Sequence, residues 1–307
     1  MLDLRRLRVL QAVAREGSLS GAARALDYTQ PAVSHHVRRL EAELGTPLVI
    51  RRGRGVELTP AGAALANRAN ALLAAAAAAR EEVAALAGLR RGRVRLAAFP
   101  SASATLVPPA LARLRDEHPG LDVTLVEAEP PASVDLVRQG DADVALTFAH
   151  AGLDPEQDAG LHSTPLRIDE KVAVLPAGHA LAGRDEIDVA ELASERFIAG
   201  CPRCRGHLVH LCEKAGFTPD IAFATDDYVA AQGMVAAGLG VTLLPSLVLD
   251  VVRHPDVAIR SVHGRPTRTI SAVALEGAAT VPSVRALVDA LAHDRAITRN
   301  APARPGP

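Results

Sequence analysis

Aromatic side chains are nearly absent from this chain of 307 residues: they make up 2 %, and there is no tryptophan. The hydrophobic 49 % must therefore build its core from alanine, valine and leucine. No apolar run reaches the length of a membrane span; the alanine run 74–79 is short and followed at once by arginine and glutamate. The opening "MLDLRRLRVLQAV" is charged throughout, so it does not read as a secretory signal, and the expected compartment is the cytoplasm. Thiols stay reduced there, and cysteine is scarce as well: all three lie in "GCPRCRGHLVHLC", 200–212. Catalytic patterns are missing too. There is no Ser/His/Asp set at an interpretable spacing, no phosphate-binding glycine loop and no H-E-x-x-H. The expectation is a protein that is not an enzyme and uses no cofactor.

What is present is unevenly distributed. The net charge is −1, yet residues 1–60 carry +4 and the rest −5. A basic end on a mildly acidic body is compatible with nucleic acid at that end. Within it, apolar residues at Leu4, Leu7, Leu10, Val13 and Ala14 predict a helix that stops at Gly17. Ser20 is placed to cap a second short helix with Ala22, Ala23 and Leu26 inward. A tight turn, "DYT", leads to a third helix capped by Thr29, with Pro31 in its first turn and Gly45 after it. "PLVIRRGRGVELTPAG" reads as two strands around a glycine turn. Thr59 and Pro60 then open an alanine-rich helix, 60–88. From 92 onward strand-like and helix-like runs alternate, which predicts an α/β unit with mostly parallel strands. The tail 298–307 reads as disordered.

On a helical wheel, the third helix puts Val33, Val37, Leu40 and Leu44 on one face and Gln30, Pro31, Ser34, His35 and Arg38 on the other. A plain three-helix domain with a solvated face would look much the same. The short turn, the polar helix start and the arginine-rich hairpin favour DNA. Amide, hydroxyl and imidazole groups in the first turns can meet base edges in a major groove, while Arg38, Arg51, Arg52 and Arg54 suit phosphates.

The stretch 15–62, "REGSLSGAARALDYTQPAVSHHVRRLEAELGTPLVIRRGRGVELTPAG", resembles the winged helix-turn-helix of LysR-type transcriptional regulators. "HPGLDVTLVEAEP", "LVRQGDADVAL", "GHALAG" and "MVAAGLGVTLLP" follow in the order of that family's effector-binding domain. Two positions depart from its pattern: Val49 stands where an aromatic is usual, and His35 where a basic residue is frequent. The resemblance implies a multidomain α and α/β chain. Residues 1–59 would be the DNA-binding domain and 60–90 a linker helix. Residues 91–297 would be an effector domain of two α/β subdomains, one from 91–166 and 267–297, the other from 167–266. It implies double-stranded operator DNA, a small-molecule effector and a homodimer or homotetramer paired through the linker helix. An activator of this kind would also meet RNA polymerase. Ser20, Thr29, Gln30, Pro31, Ser34, His35, Arg38, Arg51, Arg52 and Arg54 are then the candidate DNA-contacting residues.

In open α/β sheets, ligands sit beyond strand carboxyl ends, near helix N-termini. Three segments meet that condition: Ser101, Ala102 and Ser103; Thr147 and Phe148; Cys201, Pro202 and Arg203. Free helix amides there favour an anionic metabolite. Ser101 and Ser103 are read equally well as helix caps, and Asp226 as the cap of its own helix with a pocket role besides. The cysteines leave three readings open. Cys201, Cys204 and His207 could converge on a metal with a fourth ligand from elsewhere. Cys201 and Cys204, C-x-x-C across a helix start, could respond to redox conditions. Otherwise Cys201 lines the pocket, while Cys204 and Cys212 are small buried hydrophobes. Two other functions compete with the regulator: a binding protein without DNA, and an enzyme on a similar two-lobed fold.

Overall fold

The computed structural model describes residues 2–52, 55–86, 92–150, 153 and 160–293. Three helices come first: α1 (Leu4–Glu16), α2 (Leu19–Ala25) and α3 (Gln30–Leu44). Each begins on a side chain that accepts from its own first turn: Asp3 from Arg5, Ser18 from Gly21, Thr29 from Ala32. The second cap is Ser18, not Ser20; Ser20 sits inside α2 and is exposed. Both α1 and α3 end on a left-handed glycine, Gly17 at φ 60° and Gly45 at φ 68°. Leu7, Val9, Leu10, Ala22, Ala23, Val33, Val37 and Leu40 are buried. Leu4 and Leu44, expected inward, are exposed because they stand in terminal turns; Ala14 is exposed too.

Strands β1 (Val49–Arg52) and β2 (Gly55–Leu58) pair antiparallel as a hairpin wing. The Glu41 carboxylate on α3 accepts from the amides of Leu48 (2.9 Å) and Val49 (3.2 Å), tying the wing to the helix bundle. The long helix α4 (Pro60–Leu86) starts on Thr59, whose hydroxyl accepts from the Gly62 amide at 3.0 Å. A Cβ on Gly62 would lie 2.0 Å from the Leu48 carbonyl oxygen, so only glycine lets α4 approach the wing this closely. Ala66 and Ala69 of α4 share a core with Leu7, Leu10, Leu40 and Leu48. The expected stop at Gly88 and the tail 298–307 lie outside the described residues.

The remaining elements, in order, are β3 (Gly92–Ala98), α5 (Pro100–Thr105), α6 (Val107–Glu117), β4 (Leu121–Glu127), α7 (Ala132–Gln139), β5 (Val144–His150) and β6 (Leu161–Pro176). Next come β7 (Glu186–Ile187), β8 (Arg196–Ala199), α8 (Pro202–Lys214), β9 (Asp220–Ala224) and α9 (Tyr228–Ala236). The last are β10 (Thr242–Pro245), α10 (Ser246–Leu249), β11 (Val257–Val262), β12 (Thr267–Leu275) and α11 (Pro282–Ala292). The expectation of mostly parallel strands is corrected. Among the described residues of this unit, β3 runs parallel to β4 and β5, β8 to β9, and β7 to β11. Against these stand as many antiparallel pairings: β12 with β5 and β6, and β6 with β10 and β11.

β6 explains the mixture. It pairs with β12 as far as Glu170, then with β10 from Lys171 and with β11 from Val172. One strand thus serves two packed units. One core gathers Leu96, Phe99, Leu114, Leu146, Phe148 and Leu287. The other half is built on Ala173, Leu175, Phe197, Val241 and Cys212, with Val174, Ile198 and Val235 on its opposite face. The Lys171 amide donates to the Pro266 carbonyl at 2.7 Å, tying β6 to the residue just before β12. No described helix is long and apolar enough to cross a membrane.

Candidate DNA interface and effector cleft

The N-terminal unit leaves one face of α3 uncovered. Val33, Val37 and Leu40 are buried, while Gln30, Pro31, His35 and Arg38 are exposed and Ser34 is partly so. Amide, hydroxyl, imidazole and guanidinium groups therefore stand together on one helix. Thr29 keeps the first turn capped, with its hydroxyl 3.4 Å from the Ala32 amide. The Arg38 Nε donates to the Ser34 carbonyl at 3.3 Å. Tyr28 stacks on His36 with ring centroids 5.9 Å apart, which firms the turn ahead of the helix. On the wing, Arg52 is exposed and pairs with Glu57 at 3.3 Å. Arg54 and the side chain of Arg51 lie outside the described residues. Val49 is partly buried between both small cores, so its departure from the family pattern is one of packing.

The second site is a cleft against β6 and the start of α8. Glu129, Lys171, Cys201, Cys204, Asp226 and Tyr228 supply its polar and reactive lining. Behind the lining, Arg268 is 1 % exposed and lies over the rings of Phe99 (5.0 Å) and Phe148 (4.7 Å). Its guanidinium pairs with Asp169 at 2.8 Å and donates to the Ser101 hydroxyl at 2.8 Å. Asp169 also accepts from the Leu247 amide at 3.0 Å and the Ser246 hydroxyl at 3.1 Å. Asp169 Oδ2 faces the guanidinium while Oδ1 faces α10, so one buried pair locks α5, β6, α10 and β12 together. Arg203 reaches across from α8 to the Phe148 carbonyl at 2.7 Å.

Glu129, Cys201, Cys204 and the neighbouring His207 are displaced from their ordinary ranges. Burial lifts the Glu129 carboxyl to about 7, with the Cys204 charge adding and a hydrogen bond from Cys201 opposing. Glu129 Oε2 and Arg268 Nη1 are buried without a hydrogen-bond partner. The Lys171 ammonium, 3 % exposed, donates to the Cys204 sulfur at 3.5 Å. A hydrogen bond from Cys201 and the Lys171 charge hold the Cys204 thiol well below its usual range despite burial. The reverse side of that hydrogen bond, together with burial, pushes Cys201 up. Burial drops His207 to about 3, with His150 and Lys171 adding. Its ring stacks on His150 at 3.9 Å.

The expected effector residues are partly brought together. Cys201 and Asp226 line the cleft. Ser101 is not a cap: Phe99 holds that position, and Ser101 is buried against Arg268. Ser103 donates to the Ala98 carbonyl at 3.4 Å, Ala102 and Phe148 are core residues, and Thr147 is half-buried on β5. Pro202 is exposed. The cap of α9 is Asp227, not Asp226, which frees Asp226 for the cleft. Cys204 is partly exposed toward the cleft rather than buried as a hydrophobe. Among the described residues no three His, Cys, Asp or Glu side chains are placed to hold a metal ion. The reading missed Glu129, Lys171, Asp169, Arg268 and His150. Lys171 carried a signal: the chain has only two lysines, and this one opens an apolar run, "KVAVLP". Asp169 and Arg268 stand 99 residues apart and carried none.

Residues 4–63 match the model of the "Bacterial regulatory helix-turn-helix protein, lysR family", and residues 87–296 that of the "LysR substrate binding domain". An "Uncharacterized HTH-type transcriptional regulator YybE" of Bacillus subtilis is 32 % identical over 80 % of this chain and 83 % of its own length. A "Probable hydrogen peroxide-inducible genes activator" of Mycobacterium avium is 34 % identical over 80 % of this chain and 78 % of its own length. The solved structure of a full-length OxyR variant from Pseudomonas aeruginosa is similar in fold, with a TM-score of 0.73 at 23 % identity, covering 95 % of each chain.

Proposed function

Because the chain belongs to the LysR family of transcriptional regulators, it is a DNA-binding regulator that answers to a small-molecule effector, and we propose how its residues divide that work. The α3 face reads DNA. Gln30, Ser34 and His35 meet base edges in the major groove, and Arg38, Arg51, Arg52 and Arg54 hold phosphates. Thr29 and Pro31 set the helix entry, with Ser20 beside them on α2. The chain divides at about 59 and 90, and the effector domain into subdomains 91–166 with 267–297, and 167–266. The linker helix α4 pairs copies of the chain, so that one dimer spans two half-sites.

The effector sits in the cleft between Glu129, Lys171 and the start of α8. The observation that carries this is the unpartnered Glu129 Oε2 in the cleft wall. Buried polar atoms are nearly always satisfied, so an unsatisfied one facing a cleft marks a place for a ligand. A carboxyl that titrates near 7 holds its proton about half the time at neutrality and can donate to an anion there. The α8 amides add their own pull on negative charge. Binding shifts the two halves about β6, which is shared by both cores, and so alters the spacing of the DNA-reading helices. A thermal-shift screen of small organic acids tests this: at least one should raise Tm, come back chemically unchanged, and lose its effect in Glu129→Ala. A panel of acids that all raise Tm equally in wild type and Glu129→Ala would refute the assignment.

A further inference from the structure

We propose that Cys201 and Cys204 bind one soft monovalent cation, Cu(I), between their two sulfurs, as a metal site in the wall of the cleft and distinct from the place of an organic effector. Cys201 caps α8 and Cys204 stands three residues on, so both side chains gather at the start of one helix. The Cys201 sulfur lies 3.4 Å from the Cys204 amide, and the two side chains hydrogen-bond. Cys201 is buried in the same core as Phe148 and Leu247, and Cys204 packs against that core. Paired sulfur donors in an apolar wall select soft ions over hard ones. Cys212 is fully buried in the other core and takes no part.

The number of ligands decides which soft ion fits. Zinc takes four, and among the described residues no three His, Cys, Asp or Glu side chains gather to hold a metal. Cu(I) has a filled d shell and is satisfied by two thiolates in line. Charge decides the same way. The Lys171 ammonium, 3 % exposed, donates to the Cys204 sulfur at 3.5 Å. Arg268, 1 % exposed, adds a second positive charge that acts on Cys204, and its Nη1 is buried without a hydrogen-bond partner. Two cations at this place repel a divalent ion more than a monovalent one. One Cu(I) held by two thiolates carries a single negative charge, which is the counter-charge that a buried ammonium needs. Asp169, two residues away on β6, cannot serve instead, because it is engaged by Arg268 at 2.8 Å. Binding takes up one Cu(I) and releases to water one proton for each sulfur that still holds one. Cys204 reaches the cleft, which gives the ion its way in.

The test uses the full chain, reduced and kept free of oxygen, with Cu(I) supplied as its coloured bicinchoninate complex. The protein should withdraw one Cu(I) per chain and bleach the colour in proportion. X-ray absorption of the loaded protein should show two sulfur neighbours and no nitrogen or oxygen neighbour. Cys201→Ser keeps an oxygen at the cap, so α8 stays intact, and that variant should take up no copper; Cys204→Ser should behave alike. Cys212→Ala should take up one equivalent, as wild type does. Lys171→Met should weaken binding by about 10–100-fold, the usual effect of losing a partner of a metal ligand, while Lys171→Arg should keep most of the affinity. Equimolar zinc should not displace the ion. Colour that persists at a large excess of wild-type protein would overturn the proposal. So would uptake that survives in Cys201→Ser, a nitrogen neighbour, displacement by zinc, or an affinity indifferent to Lys171→Met. The acid screen, run on copper-free protein, separates this claim from the effector reading. An acid that shifts Tm in a protein that takes up no Cu(I) would count against the copper site alone, and Cu(I) uptake without any acid response would count against the effector assignment alone.

Discussion

Burial, reinforced by the Cys204 charge, lifts the Glu129 carboxyl well above the usual carboxylate range. It rises from 4.5 to about 7, so the folded chain holds a proton there that the unfolded chain has released. Its share of stability is present below the lower value and lost as pH rises through the upper one. Glu129→Gln should therefore gain Tm over wild type as pH climbs from 4.5 to 7, with a flat difference outside that window. His207 runs the other way. Its folded value of about 3 lies below 6.5, so its contribution is present above 6.5 and lost as pH falls toward 3. The single-variant difference, not the wild-type curve, isolates each group. The buried pair of Asp169 and Arg268 gives a second test. Asp169→Ala strands a guanidinium that is 1 % exposed and should cost about 3–5 kcal/mol in urea melts. Adding Arg268→Met should recover part of that loss, which is the mark of a coupled pair. None of this was legible in the sequence, because each effect comes from residues that meet only when distant strands pair.

Elements were far easier to read than their partners. Helix α3 was placed from Thr29, Pro31 and Gly45, and its observed bounds, Gln30–Leu44, follow those signals. Capping of α2 and α9 was misplaced by two residues and by one, since neighbouring Ser18 and Ser20, or Asp226 and Asp227, offer the same chemistry. In the long strand β6 the apolar run begins only at Lys171. Its first ten residues include Pro165, Asp169 and Glu170, which break the apolar run that marks a strand. Those breaks also hide, in the sequence, the antiparallel pairing of β6 with β12. At this scale the wing offers the sharpest prediction. Glu41 is the acceptor for two wing amides, so Glu41→Ala should cost about 1–3 kcal/mol in stability, while Glu41→Gln keeps an oxygen there and should cost less. Gly62→Ala should fold poorly at any pH, because the clash is with the Leu48 backbone rather than with a yielding side chain. Circular-dichroism melts of the three variants check both statements.

At the scale of the whole molecule, the proposed reading face and the proposed effector cleft are joined through α4 and β6. Asn70 on α4 donates to the Arg138 carbonyl while it accepts from Gln11 on α1, so one residue of the long helix touches both α1 and α7. Arg15 and Asp141 add a 3.2 Å pair across the same junction, both half-exposed and therefore weak. Phosphate contacts should show in salt dependence: Arg52→Ala should weaken all DNA sequences alike and lower the salt slope by about one per half-site. Gln30→Ala should instead relax sequence preference, at about 1–3 kcal/mol for each base pair it reads. The most direct measurement is a footprint of the reduced, full-length protein on DNA flanking its own gene, at fixed salt, beside Gln30→Ala and Arg38→Ala. The account predicts two protected half-sites about 10 base pairs apart, centre to centre, or a multiple of that. Protection should fade in both variants. A protein that leaves that DNA unprotected even at low salt, or protects it equally well in both variants, would contradict it.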